Sequence, residues 1–293
     1  MLAQRIATAL VMLIVMVAAL AAPGHAAFEW LMLLVIAAAV WEWARLSGVE
    51  GASALGLGLG AAALMAALLW QQRSGVESTT TATEAAFWWF VSAVWIVAGA
   101  VVLQRGVNGW RAMPSTLRVL IGMALLVVAW VAITRAERLG FNFLMSALAL
   151  IWASDIAAYF GGRALGGRLF GVGKLAPSIS PGKTREGAVS GLLGALALAT
   201  VWTLWIDPRW GGDAPGLYTR LVQGQGWVVM LLAVTALTAA GIVGDLFESL
   251  VKRAAGAKDS SRLLPGHGGV LDRIDALLPT LPMAMALAAW TSP

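Results

Sequence analysis

Nine long apolar runs constrain the fold of this chain more than any other feature of its sequence. Each run approaches or reaches the roughly 20 residues that a helix needs to cross a bilayer. The apolar residues are continuous rather than alternating, which favours helices over the strands of a membrane barrel. We therefore predict an all-α polytopic membrane helix bundle, with nine spans at residues 6–23, 28–46, 52–70, 85–103, 116–134, 141–160, 186–206, 226–248 and 274–291.

The first apolar run is compatible with two kinds of segment. Arg5 precedes it and Ala21-Ala22-Pro23 ends it, as in a signal peptide, but a second apolar run follows almost at once. Because the second run follows so closely, we predict that the first is a retained membrane helix.

The distribution of positive charge predicts the orientation. With a cytoplasmic N-terminus, all but five of the 20 Lys and Arg lie in the N-terminal tail or in the loops after spans 2, 4, 6 and 8. Basic loops are enriched on the cytoplasmic side of membrane proteins. We therefore expect the N-terminus in the cytoplasm. The expected location is that of an integral protein of a bacterial inner (plasma) membrane. The exceptions are Arg73, Arg135, Arg138, Arg209 and Arg220.

The charge and the residue types limit the function classes. The formal net charge is +5, but the cations lie beside membrane spans and form no known nucleic-acid motif. Anionic lipid and a small anionic substrate are therefore better expected partners than nucleic acid. The chain has no Cys, which excludes disulfides, a thiol nucleophile and a zinc–thiolate centre.

The two halves of the chain differ. After residue 150 the loops lengthen and charged residues gather in the spans. We predict one integral membrane domain, 1–293, in which residues 1–140 are mainly scaffold without a catalytic role and residues 141–293 form the catalytic half. The second half has no counterpart in the first, so a transporter-type internal repeat is not apparent.

Polar residues share one face of the eighth span. Asp245, Ser249 and Lys252 are four and three residues apart, which places an acid, a hydroxyl and an ammonium along one side of a helix. Asp155, in the sixth span, is a second acid inside an apolar run. Such acids usually mark functional sites, although a salt-bridged helix end is the alternative for Asp245.

A glycine-rich segment follows the eighth span at Gly266–Gly269. Glycines permit tight turns that point several backbone amides at one anion. With cations on either side, and with Asp245 and Asp272 as the best pair of metal ligands, the segment predicts Mg²⁺-assisted phosphoryl chemistry. His267 is either a general base or a residue that shapes the loop.

A second polar loop precedes the seventh span. Its Pro181-Gly182-Lys183-Thr184 stretch resembles part of a phosphate-binding P-loop, but Pro177 stands where that motif requires its first glycine and no preceding strand is apparent. Lys183 and Arg185 lie beside a helix N-terminus and are candidates for binding phosphate.

Three strings of residues together resemble the motifs of one family. One reads Ser249-x-Val251-Lys252-Arg253-x4-Lys258-Asp259-x-Ser261-x2-Leu264-Pro265-x-His267-Gly268-Gly269-Val270-x-Asp272-Arg273-Ile274-Asp275. The upstream strings read Ala157-Ala158-Tyr159-Phe160-x2-Arg163 and Ser180-Pro181-x-Lys183-Thr184-x-Glu186-Gly187. They resemble the phosphatidate cytidylyltransferases, also called CDP-diacylglycerol synthases.

The resemblance implies a nucleotidyltransferase of phospholipid biosynthesis, which makes CDP-diacylglycerol and pyrophosphate. The implied partners are CTP, phosphatidic acid and the lipid bilayer. A second copy of the chain, in a homodimer, is a separate expectation. The implied cofactors are Mg²⁺ at Asp245 and Asp272 and a second, monovalent cation such as K⁺. The expected catalytic residues are Lys252, Arg253, Lys258, Asp259, His267 and Arg273, and the expected substrate-binding residues are Asp155, Tyr159, Arg163, Ser180, Lys183, Thr184, Glu186, Ser249, Arg262, Gly268, Gly269 and Asp275.

Two other functions use similar residues. A CTP-dependent lipid kinase of the polyprenol kinase type would transfer the γ-phosphoryl group and release CDP. A transporter of an anionic solute would use the same acids and basic loops but would turn over no CTP. The identity of the product separates all three hypotheses.

Overall fold

The structure, a computed structural model, describes residues 2–74, 81–171, 174–212 and 214–291. Within these ranges, nine helices are long and apolar enough to cross a membrane, which confirms the predicted polytopic helical bundle. The helices are α1 (Leu2–Ala21), α2 (Ala26–Leu46), α3 (Gly51–Arg73), α4 (Thr81–Arg111), α5 (Ser115–Arg138), α6 (Phe141–Leu165), α7 (Arg185–Val201), α8 (Asp207–Trp210), α9 (Leu217–Ala254), α10 (Leu271–Ile274) and α11 (Leu277–Thr291).

Two helices are much longer than the predicted spans. Helices α4 and α9 each contain a break at a glycine with positive φ, Gly106 at 64° and Gly226 at 85°. Each therefore combines a membrane span with a short helix set at an angle to it. Helix α9 also continues past its apolar part, so that Lys252 and Arg253 lie on its last turn.

A small antiparallel hairpin lies between α6 and α7, and the sequence analysis did not predict it. Strand β1 (Lys174–Ala176) pairs with β2 (Ser180–Thr184). Ile179 in the connecting turn is buried, and its amide donates to the Ala176 carbonyl at 3.2 Å. The hairpin thus depends on a contact with the helical core, because two such short strands are marginal alone.

Helices α6 and α7 approach each other closely because small residues line their interface. A Cβ atom added at Gly191 would lie 2.9 Å from the Ser154 hydroxyl oxygen, and one added at Gly194 would overlap the Ala157 side chain. Small residues allow such close contact between membrane helices. The packing holds the polar end of α6 beside the hairpin that leads into α7.

The two ends of the bundle hold separate polar clusters. At one end, here called the far end, the buried Glu29 of α2 is ion-paired with Arg73 and Arg138. At the other, here called the loop end, α2, α4 and α9 finish and α7 begins. There the Arg111 guanidinium donates to the carbonyls of Ala254 and Arg253 at 2.8 and 3.0 Å, which satisfies the end of α9.

The start of α1 also lies at the loop end. The Thr8 hydroxyl donates to the Pro265 carbonyl at 2.9 Å. At Gly266 an added Cβ would lie 3.6 Å from the Arg5 Cα atom. The first helix is therefore in contact with the glycine-rich segment between α9 and α11.

Candidate active site

A cavity of about 430 Å³ opens between α6, α7, α9 and the hairpin. Polar side chains form one part of its wall, and apolar side chains form another. The polar part contains Asp155, Tyr159, Arg163, Lys183, Thr184 and Asp245, and the apolar part contains Leu150, Ile151, Leu237 and Ile242. The cavity is therefore amphipathic, and it collects six residues that the sequence analysis had singled out.

An ion pair joins two sides of this cavity. The Lys183 ammonium of β2 contacts the Asp245 carboxylate of α9, and these side chains are 26% and 33% exposed. The Ser249 hydroxyl, one turn further along α9, donates to the other oxygen of Asp245 at 3.4 Å. Asp155 is exposed and lines the same cavity. The site thus holds two acids and a cation that is paired with one of them.

Three other predicted residues shape the mouth of the cavity. The Arg163 guanidinium donates to the Tyr159 hydroxyl at 3.2 Å, and both side chains are exposed. The Thr184 hydroxyl accepts the Gly187 amide at 3.0 Å and so caps α7. Thr184 is fixed in position by this cap, whereas the Arg163–Tyr159 pair can reorient.

Glu186 is held by the fold beside the cavity rather than on its described wall. It is buried, and one carboxylate oxygen accepts the amides of Gly167 and Phe170 at 2.9 and 3.1 Å. It therefore holds the turn after α6. Ser180 is paired with Ala176 in the hairpin and does not line the cavity.

We expect Glu186→Ala to loosen this turn, because two amides lose a charged acceptor. Trypsin should then cut after the exposed Arg168 about tenfold faster than in the wild type. Mass spectrometry of the fragments measures the rate at that bond. Glu50→Ala, which changes an exposed acid outside the turn, should leave the rate unchanged; an equal rate in Glu186→Ala would contradict the assigned role.

A second polar cluster lies next to the cavity, around Asp272 at the start of α10. The Lys252 ammonium lies 2.6 Å from Asp272 Oδ1 and 2.6 Å from Glu248 Oε2. Asp272 Oδ2 accepts the Ser260 amide and hydroxyl, both at 3.0 Å, and the Gly269 amide at 2.8 Å. Lys252 thus lies between two carboxyl groups, and Asp272 ties α9 to the segment that follows it.

Three amides at the end of the glycine-rich segment and just after it donate to acids of the protein itself. The Gly269 amide donates to Asp272, and the amides of Val270 and Leu271 donate to the Glu42 carboxylate at 2.9 and 2.7 Å. Gly268 has φ of 81°, and a Cβ there would lie 2.6 Å from Asp272 Oδ2. The glycines therefore allow the chain to wrap two acids of the protein itself.

The other predicted cations and acids divide into exposed residues and residues held by the fold. Arg253 donates to the Ile179 and Ala257 carbonyls at 3.4 and 3.2 Å, and Arg273 donates to the His267 carbonyl at 2.9 Å. The Asp275 carboxylate accepts the Ala276 amide at 2.8 Å. The remaining predicted side chains, Lys258, Asp259 and Arg262, are exposed beside them.

The sequence analysis missed three residues that organise the site: Glu42, Ser260 and Arg111. Glu42 gave a usable signal, because an acid inside an apolar run deserves the same attention as Asp155. The prediction that residues 1–140 are mainly scaffold left Glu42 out of the candidate site. In the structure, α1, α2 and α4 of the first half form hydrogen bonds with loop-end residues of the second half.

The carboxylate oxygens at Asp245 suit a hard divalent cation as ligands. Its carboxylate is partly exposed on the cavity wall, and Asp155 lines the same cavity. Mg²⁺ commonly takes one or two carboxylates and completes its shell with water and phosphate oxygens. Among the described residues, no three acidic or histidine side chains are grouped so as to hold a metal. A bound Mg²⁺ would therefore need oxygens from substrate or water.

Asp272 is less available to a metal in this arrangement. Its side chain is 7% exposed, and its two oxygens already accept Lys252, Ser260 and Gly269. Asp272 can enter a metal shell only after Lys252 moves away. The Asp245–Asp272 pair of ligands stays a prediction.

Comparison with known proteins gives consistent matches. The sequence matches the model of the Cytidylyltransferase family over residues 3–291. A phosphatidate cytidylyltransferase of Pseudomonas aeruginosa is 36% identical over 300 residues, with 100% of both chains covered. Phosphatidate cytidylyltransferases of Haemophilus influenzae and Bacillus subtilis are 43% and 38% identical over 143 and 160 residues, which cover 49% and 55% of this chain and 44% and 52% of theirs.

Proposed function

The chain belongs to the cytidylyltransferase family, and from this premise we propose that it transfers the cytidylyl group of CTP to phosphatidic acid. The products are CDP-diacylglycerol, a precursor in phospholipid biosynthesis, and pyrophosphate. The observation that carries this proposal is the amphipathic cavity, in which cations and acids meet apolar side chains at the loop end of a membrane bundle. The names of the relatives give the same substrate.

The cavity suits a phospholipid better than a free nucleotide alone. Lys183 and Arg163 can meet a lipid phosphate, while Leu150 and Leu237 continue the wall with apolar surface. On the outer side of α6, Ile156 and Phe160 are exposed, as expected of a surface that faces acyl chains. A phosphatidate can thus place its phosphate in the cavity and leave its acyl chains in the bilayer.

The reaction needs charge neutralisation more than it needs a base. An oxygen of the phosphatidate phosphate attacks the α-phosphorus of CTP; a new P–O bond forms, and the bond to the bridging oxygen of the β-phosphate breaks as pyrophosphate leaves. Since the nucleophile is already anionic, the main barriers are repulsion and alignment. His267 then has no required role as a base.

We assign the cations of the site to these barriers. Lys183 and Arg163 line the cavity and would hold phosphate oxygens there. Lys258, Arg262 and Arg273 are exposed at the loop end and would attract and align the triphosphate. Lys252 is ion-paired within the protein, so we assign it to the arrangement of Asp272.

Mg²⁺, when bound, would offset phosphate charge and favour departure of pyrophosphate. We propose Asp245 as its first ligand, because Asp245 is the acid of α9 that lines the cavity. Asp155 is close enough to Asp245 to interact with its charge and would orient water around the ion. The monovalent cation remains a prediction from the resemblance, and the homodimer remains an expectation.

We further propose that the loop end faces the cytoplasm of a bacterial inner membrane. The excess of Lys and Arg at that end supports this orientation. CTP is a cytoplasmic nucleotide, and an active site on that side would draw on it directly.

The proposed function is tested by measuring whether label from CTP enters lipid. Purified protein in detergent is incubated with phosphatidic acid, Mg²⁺ and CTP labelled at the α-phosphorus, and we expect the label in the lipid phase with an equimolar amount of pyrophosphate. Label that enters the lipid phase only from γ-labelled CTP would show a kinase. A folded protein that binds CTP but labels no lipid would overturn the proposal.

A further inference from the structure

We infer that Glu42 of α2 is a positioning residue for the reaction: its carboxylate holds the segment from Ser260 to Leu271 and, through Ser260, sets the position of Asp272. This inference rests on the proposed function, since it names a further residue on which the transfer depends. Glu42 lies in the first half of the chain and does not line the cavity, whose described wall comes entirely from residues after 149.

Four hydrogen bonds converge on the Glu42 carboxylate. Oε1 accepts the Ser261 hydroxyl at 2.6 Å and the Val270 amide at 2.9 Å. Oε2 accepts the Ser260 hydroxyl at 3.1 Å and the Leu271 amide at 2.7 Å. The Glu42 side chain is fully buried. The acid therefore replaces its lost hydration with donors from a single segment of the chain.

These donors require a carboxylate rather than any polar group. An ionised Glu offers two acceptor oxygens, whereas Gln offers one oxygen and a donating NH₂ group. In Glu42→Gln, that NH₂ group would face two of the four donors. A buried donor without a partner is costly, so the segment would have to rearrange even though the size of the side chain hardly changes.

Ser260 connects this acid to the second polar cluster. Its hydroxyl oxygen lies 3.1 Å from Glu42 and 3.0 Å from Asp272. One hydroxyl hydrogen can bond fully to only one of these acids at a time. The Ser260 amide supplies a further bond to Asp272. The position of Asp272, and with it that of Lys252, is thus coupled to Glu42.

The contact also leaves no spare room. A Cβ atom added at Gly269 would collide with the Ser260 hydroxyl and the Glu42 carboxylate. Because the three residues are in such close contact, a small shift of Glu42 must be passed on to the glycine-rich segment rather than absorbed by a void.

Helix α2 also offers a matched control for the loss of a buried acid. Glu29 lies on the same helix, is 1% exposed and is held by Arg73 and Arg138. It is at the far end of the bundle and touches nothing in the candidate site. Glu29→Gln therefore tests stability alone, whereas Glu42→Gln tests stability and positioning together.

The experiment compares Glu42→Gln, Ser260→Ala, the double variant and Glu29→Gln in the cytidylyl transfer assay, with the thermal unfolding midpoint of each. We expect Glu42→Gln to lower kcat about 100-fold with little change in KM for phosphatidic acid, as a misplaced catalytic segment would do. Glu29→Gln should keep the wild-type kcat even though its midpoint falls. The double variant should be about as slow as the slower single variant, because both changes break one chain of contacts.

The outcomes distinguish a failure of the proposed function from a failure of the positioning role of Glu42. A wild-type protein that makes no CDP-diacylglycerol would overturn the proposed function itself. An active wild type with a Glu42→Gln kcat within about threefold, or with losses that multiply in the double variant, would overturn only the positioning role. If Glu42→Gln does not fold, Ser260→Ala decides alone: a wild-type kcat in that variant would overturn the inference.

Discussion

Asp245→Asn is expected to lower the rate of CDP-diacylglycerol formation by about 10³-fold, a loss typical of removing a charge that acts directly on the reacting phosphates. Asn keeps the size of the side chain and one oxygen but loses the charge that would hold Mg²⁺. Since Asp245 lines the cavity and is a third exposed, the fold should be retained. The transfer assay and the thermal unfolding midpoint measure the two effects separately.

A double variant distinguishes a metal ligand from half of an ion pair. In the structure Asp245 contacts Lys183, and Asp245→Asn leaves that ammonium without its partner. If neutralising Lys183 were the only role of Asp245, Asp245→Asn would cost no further activity in a Lys183→Met background. We expect a further loss of rate in that background, because a metal ligand is lost as well. Glu84→Gln, which alters a partly exposed acid paired with Arg135 at the far end, should behave as the wild type.

Asp272→Asn is expected to lower the transfer rate by about 10²- to 10³-fold and also to lower stability. The carboxylate binds Lys252 and three donors from Ser260 and Gly269. An Asn at this position would turn its NH₂ group toward either Lys252 or those donors. Loss of such a largely buried charged acceptor costs roughly 1–3 kcal/mol, which a shift in the unfolding midpoint would reveal.

The comparison variant for Asp272→Asn is Glu137→Gln. Glu137 is also mostly buried, and it pairs with His25 at 2.7 Å at the far end. We expect it to lose some stability and no activity. A transfer rate in Asp272→Asn that matches that of Glu137→Gln would remove Asp272 from the active site and leave it a structural role only.

The number and the approximate positions of the spans could be predicted because they depend on local properties. Length and continuous apolarity identify a span without knowledge of its neighbours, and the structure contains nine such helices among its described residues. The ends of α4 and α9 were harder to place, because polar residues continue a helix beyond its apolar part. The hairpin was missed because it depends on the burial of Ile179, which sequence alone does not show.

In the candidate site, too, some features could be predicted from the sequence and others could not. Motif residues such as Asp155, Lys183 and Asp245 do line one cavity, and their residue types suggested phosphate chemistry. The direction of the amides at the end of this segment could not be predicted, because the amides of Val270 and Leu271 donate to Glu42, which is more than 200 residues away in sequence. A glycine-rich segment can wrap an external anion or an acid of the protein, and only the tertiary contact decides which.

The contacts of Glu42 and Thr8 with the last loop also bear on how the protein is made. They join residues 228 and 257 positions apart, so α1 and α2 enter the bilayer long before their polar partners are synthesised. Until then, the Glu42 carboxylate is an acid without donors inside a membrane, which is unfavourable. A chain whose translation stops before residue 260 keeps this defect, so α2 gains the partners of its buried acid only when the segment from Ser260 to Leu271 has been made.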